Sequence, residues 1–273
     1  MSSDKTRFDL SAYPLPKNAQ GKTFFDKSPQ YGRVKRAFRQ LVEDPGLGVL
    51  TSEPGVGKTA ALRNLCAELP RPDHLVLYFC DTSVSPLELY RSLASELGVR
   101  PSHRRGQLWA DIKKALVHMV DERGSHPLVV LDEAQHLSDR FLLDLAGFLN
   151  FAFDSRDLLT LWLVGQPALS RRLHMHQHAA LRTRIAIELR LEALDREAFA
   201  AAVEHGLKAA GASQKILADA AMEMLFRGSR GVLRTASKIL RIAFRMAADR
   251  GQSFLDEPVV QAALDELGVG VAA

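Results

Sequence analysis

The stretch that decides the fold is Ser52-Glu53-Pro54-Gly55-Val56-Gly57-Lys58-Thr59. It follows a short apolar run at residues 48–51 and precedes a segment with helical spacing, so it links a strand to a helix. It matches the pattern G-x-x-x-x-G-K-[ST] at every defined position except the first, where Ser52 replaces glycine. Ser52 is small enough to permit the tight turn. The pattern predicts a phosphate-binding loop.

The spacing of this loop follows from phosphate chemistry. Small residues let successive backbone N–H groups converge on phosphate oxygens, and the following helix presents its positive end. We expect Lys58 to reach the β- and γ-phosphates of a nucleotide and the Thr59 hydroxyl to bind Mg²⁺. The alternative is a strand-to-helix turn with an incidental lysine. The residues expected to contact the nucleotide here are Pro54, Gly55, Val56, Gly57, Lys58, Thr59 and Ala60.

A second motif, Leu-Val-Val-Leu-Asp-Glu at residues 128–133, is an apolar strand that ends in two carboxylates. A buried parallel strand delivers its last residues to the carboxyl edge of the sheet, which is also where a phosphate loop begins. We expect Asp132 to hold Mg²⁺ through water and Glu133 to polarise the attacking water. The alternative is an exposed acidic pair at a strand end.

The chain divides by pattern into three parts. Apolar runs at 48–51, 75–80, 128–131 and 158–164 are separated by helical segments, which predicts parallel strands buried on both faces in an α/β sandwich. Beyond residue 195 four helices are expected, at 196–210, 214–226, 231–250 and 257–267. We therefore predict an extended arm over residues 1–23, a nucleotide-binding domain over 24–193 and a helical domain over 194–273.

The composition is that of a soluble globular protein, with 47% hydrophobic and 25% charged residues among 273. No run approaches the roughly 18 to 20 apolar residues of a membrane span, and the polar first residues do not resemble a signal peptide. The expected location is the cytoplasm. A net charge of +4 permits a polyanionic partner without requiring one.

Several segments together resemble the AAA+ ATPases. They are SEPGVGKT, VVLDEAQHL, LLTLWLVGQP, ALRTRIAIELRL and GVLRTASKIL, and the resemblance covers residues 24–267. Within that superfamily the chain looks most like the ExeA-like ATPases and the transposition regulators of the TnsC, TniB and Mu B type. The resemblance implies an AAA+ P-loop three-layer sandwich with a parallel sheet and a small C-terminal all-helical lid domain.

The resemblance also implies an activity. It points to Mg²⁺-dependent hydrolysis of ATP by a homo-oligomer, in a ring or a filament, that binds double-stranded DNA largely without sequence specificity. Such an assembly would recruit or regulate a transposase or targeting protein in DNA transposition, a form of DNA recombination. The alternative is an assembly ATPase or adaptor of a secretion or cell-envelope system without DNA binding. A signalling ATPase of the STAND type is a third reading.

Further site residues come from the resemblance alone. Gln166, at the end of the strand after the Asp-Glu motif, is the expected sensor-1 residue, and Arg234 at a helix start is the expected sensor 2. The arginine finger that a neighbouring subunit receives is Arg182 or Arg184, with Arg184 preferred. Each of these side chains could instead be an ordinary strand-end or surface group.

Basic side chains concentrate in two places. Residues 100–114 include Arg104 and Arg105, the candidate contacts to DNA phosphates, although a solvated loop would look the same. A second basic run, over 227–250, falls largely on one helical face and fits a DNA surface, a subunit interface or a solvent face. Near the predicted adenine end, the aromatic residues Phe24, Phe25 and Tyr31 fit either base contact or domain core.

Overall fold

A computed structural model describes residue 5 and residues 7–268, apart from the side chain of Phe153. Five strands form one parallel sheet in the order β2-β3-β4-β1-β5. The strands are β1 (Leu47–Ser52), β2 (His74–Phe79), β3 (His126–Leu131), β4 (Thr160–Gly165) and β5 (Ile185–Leu191).

Within the described residues, eleven α-helices accompany the sheet. They are α1 (Pro29–Glu43), α2 (Lys58–Ala67), α3 (Pro86–Glu96), α4 (Arg105–Arg123), α5 (Asp139–Phe148), α6 (Pro167–Leu173), α7 (Ala179–Arg182), α8 (Arg196–Ala209), α9 (Asp219–Ser229), α10 (Leu233–Asp249) and α11 (Glu257–Glu266). The predicted α/β fold, with a parallel sheet and a C-terminal helical part, is confirmed. None of the described helices has the length and apolar character needed to cross a membrane.

The chain forms two compact units. The sheet unit contains residues 33–52 and 65–191, with the whole sheet. The helical unit contains the described parts of Met1–Gly32 and Glu192–Ala273 together with Glu53–Asn64, the segment that carries the phosphate-loop motif.

The centre of the sheet unit is built around Trp162 on β4, which is fully buried. A Cβ added to Gly48 on β1 would lie 2.7 Å from both the Trp162 ring and the Leu41 side chain, so only glycine fits beneath the indole. Thr160 begins β4 and donates a hydrogen bond of 2.6 Å to the Leu41 carbonyl. The central strands β1, β3 and β4 are almost wholly buried, as their continuous apolar runs predict.

The two edge strands differ from the expectation. In β5 partly buried and exposed residues alternate, because an edge strand covers the core with one face only. Such a strand contains no continuous apolar run, and β5 was therefore not predicted. In β2, Tyr78 is 52% exposed and Val76 is 37% exposed. The prediction that this strand is buried on both faces was therefore wrong.

The helical unit encloses its own core and takes up most of the amino-terminal arm. Phe8 is buried against Phe244 of α10, with ring centroids 4.8 Å apart in an edge-on arrangement. Ser11 N donates to the Ala210 carbonyl at 2.8 Å, and Ser237 Oγ donates to the Leu15 carbonyl at 2.9 Å. The arm therefore contributes to the lid core.

One predicted helix boundary was wrong. Residues 214–218 were expected to begin a helix, but α9 starts at Asp219. Leu217 instead forms a parallel bridge with Leu255, and Ala218 N donates to the Leu255 carbonyl at 3.0 Å. These backbone groups are used by a distant segment, which the local apolar spacing does not reveal.

Candidate nucleotide site

The loop after β1 has the backbone that the phosphate-loop pattern requires. Gly55 and Gly57 adopt φ values of +88° and +123°, conformations that side-chain-bearing residues rarely adopt. Helix α2 begins at Lys58, and its regular hydrogen bonding starts with Ala61 N donating to the Gly57 carbonyl at 2.9 Å. Its first turn therefore presents N–H groups toward the loop, an arrangement that suits a phosphate. The Lys58 side chain is buried.

Arg234, the expected sensor-2 residue, lies against this loop. It is the second residue of α10, and its backbone N donates to the Gly55 carbonyl at 3.4 Å. A Cβ on Gly55 would lie 2.9 Å from the Cβ of Arg234 and 3.0 Å from Val232. The loop and the start of α10 approach this closely because residue 55 is glycine.

The helix that follows the loop is also joined to the amino-terminal segment. Asn64 Oδ1 accepts a hydrogen bond from Gly21 N at 3.1 Å, and its Nδ2 donates to the Tyr31 hydroxyl at 2.9 Å. The Tyr31 side chain is buried and contacts the Phe24 ring, with centroids 4.9 Å apart. Phe25 packs against His205 of α8 at 5.7 Å. All three candidate adenine contacts thus also pack within the helical unit.

Asp132 follows β3 and is buried, 3% exposed. Its Oδ2 accepts a hydrogen bond of 2.9 Å from the Tyr78 hydroxyl, and its Oδ1 accepts one of 2.8 Å from Glu133 N. Burial, together with the Asp132 charge and this hydrogen bond, raises the pKa of Tyr78, so the phenol stays protonated and donates at neutral pH. A buried carboxylate with both oxygens oriented fits a Mg²⁺ site, since Mg²⁺ prefers hard oxygen ligands.

Glu133 occupies a turn with an uncommon backbone. Its φ is +51°, in the left-handed region that non-glycine residues seldom adopt. The turn is held because the Glu133 carbonyl accepts hydrogen bonds from Thr82 Oγ1 at 2.8 Å and from His136 N at 3.0 Å. Its carboxylate oxygen Oε2 accepts a hydrogen bond from Gln135 Nε2 at 2.7 Å.

Gln166 is the first residue after β4. Because β1, β3 and β4 are parallel, the residues that follow them, including Asp132 and Gln166, come out at the same edge of the sheet. Gln166 N donates to Gln135 Oε1 at 3.0 Å. The Asp-Glu turn and the end of β4 are therefore joined through one glutamine side chain.

An arginine on α6 supports the same turn. Arg172 donates to the carbonyls of Gln135 and Leu137, each at 2.8 Å, and to Asp139 Oδ1 at 2.6 Å. The hydrogen bond from Arg172 lowers the pKa of Asp139, and His178, which is fully buried, lies 3.2 Å from the same oxygen.

The two finger candidates differ in their surroundings. Arg182 ends α7 and is exposed. Arg184 forms an ion pair of 2.6 Å with Asp154, and its side chain is 22% exposed. Arg182 is thus accessible to solvent, whereas Arg184 is held in an ion pair with Asp154.

The two DNA candidates differ in the same way. Arg105 pairs with Asp144 at 2.7 Å and lies 4.5 Å above the Trp109 ring. Arg104 precedes α4 and is exposed, and within the described part of the chain its guanidinium has no hydrogen-bond or ion-pair partner. Sequence reasoning had treated them as equivalent.

Sequence reasoning also missed three residues around the carboxylates, namely Tyr78, Gln135 and Arg172. Gln135 stands two positions after Glu133 in the segment VVLDEAQHL, so its closeness to Glu133 along the chain could have identified it. Tyr78 and Arg172 lie 54 and 40 positions from Asp132 along the chain, and no local pattern indicates their contacts.

The sheet order, the loop between β1 and α2 and the helical C-terminal part define an AAA+ P-loop fold. Residues 40–173 match the family model described as AAA domain. Among curated proteins, General secretion pathway protein A of Aeromonas hydrophila is 30% identical over 246 residues, which are 89% of this chain and 45% of that protein. The chain thus spans less than half the length of this relative.

Solved structures support the same fold. Cdc6p from Pyrobaculum aerophilum matches with a TM-score of 0.69 and 18% identity, over 98% of this chain and 72% of that one. The Drosophila ORC bound to DNA matches with a TM-score of 0.71 and 16% identity, over 98% and 67%. The RuvB Holliday junction branch migration motor of Thermotoga maritima matches with a TM-score of 0.60 and 18% identity, over 88% and 68%.

Proposed function

We propose that this chain is an ATPase that binds ATP with Mg²⁺ and hydrolyses it. The observation that carries the proposal is the loop before α2, in which two glycines with positive φ precede the buried Lys58. Residues 54–60 hold the phosphates, and Thr59 and Asp132 supply oxygen ligands to Mg²⁺. Bound Mg²⁺ would neutralise charge on the phosphate oxygens.

The hydrolytic step needs a base and a cation. Glu133 orients the attacking water and accepts its proton, Gln166 contacts the terminal phosphate, and Arg234 contacts the nucleotide from the lid. A neighbouring subunit donates an arginine to the charge that develops in the transition state. We assign this role to Arg182 in place of the preferred Arg184, because Arg182 is exposed whereas Arg184 is paired with Asp154.

The test of this activity is ATP turnover by the wild type, Lys58→Ala and Glu133→Gln, with particle size recorded in the same samples. Lys58→Ala should lose nucleotide binding. Glu133→Gln should keep nucleotide binding and lose turnover by about 10²- to 10⁴-fold, as expected when a general base is removed. Wild-type protein that binds no ATP would refute the proposal.

We further propose that the ATP-bound oligomer binds double-stranded DNA and regulates a transposase. The support is the exposed Arg104 in a basic segment, together with the likeness to the transposition regulators. We expect turnover to rise with DNA, and Glu133→Gln to remain on DNA as a large assembly. Arg104→Glu should weaken DNA binding. It should also make the plot of log binding constant against log salt concentration less steep, by about 0.9 for each phosphate contact that is lost.

The matched control for this variant is Arg171→Glu, which makes the same charge change at an exposed position on α6. It should leave DNA binding within about twofold of wild type if Arg104 makes a specific phosphate contact. Arg105→Glu is a poor probe, because it also breaks the ion pair with Asp144.

A second candidate function comes from the identity with General secretion pathway protein A. In this case the chain is the ATPase part of an envelope or secretion assembly and does not bind DNA. Turnover that ignores DNA, and Arg104→Glu indistinguishable from wild type, would favour this function while leaving the ATPase proposal intact.

A further inference from the structure

The side chain of Gln135 connects two parts of the candidate site that the sequence keeps 33 residues apart. Its Nε2 donates to Glu133 Oε2 at 2.7 Å, and its Oε1 accepts from Gln166 N at 3.0 Å. A glutamine amide has one donor end and one acceptor end, and here each end is used by a different element. Neither an ionised glutamate nor leucine could make both bonds.

The position of this amide is fixed from both sides. Arg172 Nη1 donates to the Gln135 carbonyl at 2.8 Å and so holds its backbone. A Cβ added to Gly165 at the end of β4 would lie 2.6 Å from Gln135 Oε1, so the amide rests in space that only glycine leaves open. The arrangement orients the amide and limits its alternative rotamers.

We propose that Gln135 is a positioning residue for hydrolysis, whose amide fixes the Glu133 carboxylate relative to the backbone that follows β4. The inference rests on the proposed ATPase function. Glu133 has a flexible side chain on a turn with φ +51°, and among the residues that the structure describes the hydrogen bond to its carboxylate comes from Gln135. Proton acceptance from a water requires that direction, and a displacement of about 1 Å can lower a rate by about 100-fold.

The first test replaces the donor end of the amide with an acceptor and adds one negative charge. Gln135→Glu keeps the chain length and an acceptor for Gln166 N, but it sets a carboxylate oxygen against Glu133. We expect kcat to fall about 10- to 100-fold, while the affinity for Mg²⁺-ATP and the melting temperature stay near wild type. The control is Gln261→Glu on α11, where the same change removes a 2.8 Å hydrogen bond from an exposed amide to Asp265.

The second test displaces the amide without mutating it. Gly165→Ala should push the Gln135 side chain away and lower kcat in the same direction as Gln135→Glu. Gly147→Ala on α5 is its control, because a Cβ there meets nothing within 4 Å. This pair preserves the test if the Gln135 variants fold poorly.

A double-mutant cycle separates positioning from a general structural role. Glu133→Asp shortens the carboxylate side chain by one methylene and withdraws it from Gln135. If Gln135 acts through Glu133, adding Gln135→Glu to Glu133→Asp should lower kcat by less than about threefold beyond Glu133→Asp alone. Fully additive losses would overturn the inference.

Other outcomes are equally decisive. A kcat for Gln135→Glu within about twofold of wild type would overturn the inference and leave the ATPase proposal standing. A loss of nucleotide affinity or melting temperature that matches the loss of kcat would assign Gln135 a structural role only. Wild-type protein that binds ATP without turnover would refute the hydrolytic function itself.

Discussion

At the scale of single residues, Tyr78 illustrates how an exposed ring can have a buried partner. Its hydroxyl donates to Asp132, and because its pKa is raised it remains protonated at neutral and moderately alkaline pH. Hydrogen bonds of this kind orient the ligands of a metal. Tyr78→Phe should therefore raise the Mg²⁺ concentration for half-maximal turnover by about 10-fold, measured by titration at saturating ATP.

Tyr90→Phe provides the comparison. The Tyr90 hydroxyl is buried, and among the residues that the structure describes it has no hydrogen-bond partner. Its removal should leave the Mg²⁺ requirement unchanged. Equal shifts in the two variants would show that the Tyr78 hydroxyl has no specific role at Asp132.

At the scale of elements, the turn before α10 depends on a close backbone approach. A Cβ on Gly231 would lie 2.1 Å from the Leu194 carbonyl oxygen, whereas a Cβ on Gly251 would lie 3.9 Å from Arg7 Nη1, an ordinary van der Waals distance. Both glycines adopt similar positive φ values, +72° and +75°, so alanine incurs a similar backbone strain at each. Only the Gly231→Ala substitution also requires the backbone to shift, because its Cβ would overlap the Leu194 carbonyl oxygen.

We therefore expect Gly251→Ala to lower the free energy of unfolding by about 1 kcal/mol and Gly231→Ala by at least about 2 kcal/mol more. Urea unfolding of the two variants measures the difference. Because Arg234 follows this turn, Gly231→Ala should also weaken nucleotide binding, whereas Gly251→Ala should not. Equal losses of stability would contradict the role of the contact with Leu194.

The elements also show how far the sequence predicts the molecule. The central strands β1, β3 and β4 were predictable because burial on both faces makes them continuously apolar. The edge strand β5 was not, because half of its residues face outward. The phosphate-loop motif is a contiguous pattern, so the sequence alone suggests it. The contacts of Arg105 with Asp144 and of Arg172 with Gln135 join positions far apart in the chain, and no local pattern predicts them.

At the scale of the whole molecule, the proposed oligomer makes Glu133 and Arg182 act in pairs from different subunits. Glu133→Gln and Arg182→Ala should each be inactive alone. Random mixing in equal amounts should place an intact Glu133 opposite an intact Arg182 at about one interface in four. We expect the mixture to recover turnover of that order, measured after co-assembly with ATP.

The control mixture combines Glu133→Gln with the double variant Glu133→Gln/Arg182→Ala. No interface in it has both groups, so turnover should stay at the level of the single variants. Failure of the first mixture to recover, with assembly intact, would show that Arg182 is not donated between subunits. The same experiment with Arg184→Ala would then assign the role.

The burial of Phe8 against Phe244 also has a consequence for the time order of biosynthesis. The partner of this early residue is made 236 residues later, and translation proceeds at about 5 to 20 residues per second. Phe244 is therefore synthesised roughly 10 to 50 s after Phe8, and the contact cannot form before then. The sheet unit, whose last strand ends at Leu191, has all its strands available earlier, so we expect Phe8 to dock after the sheet has formed.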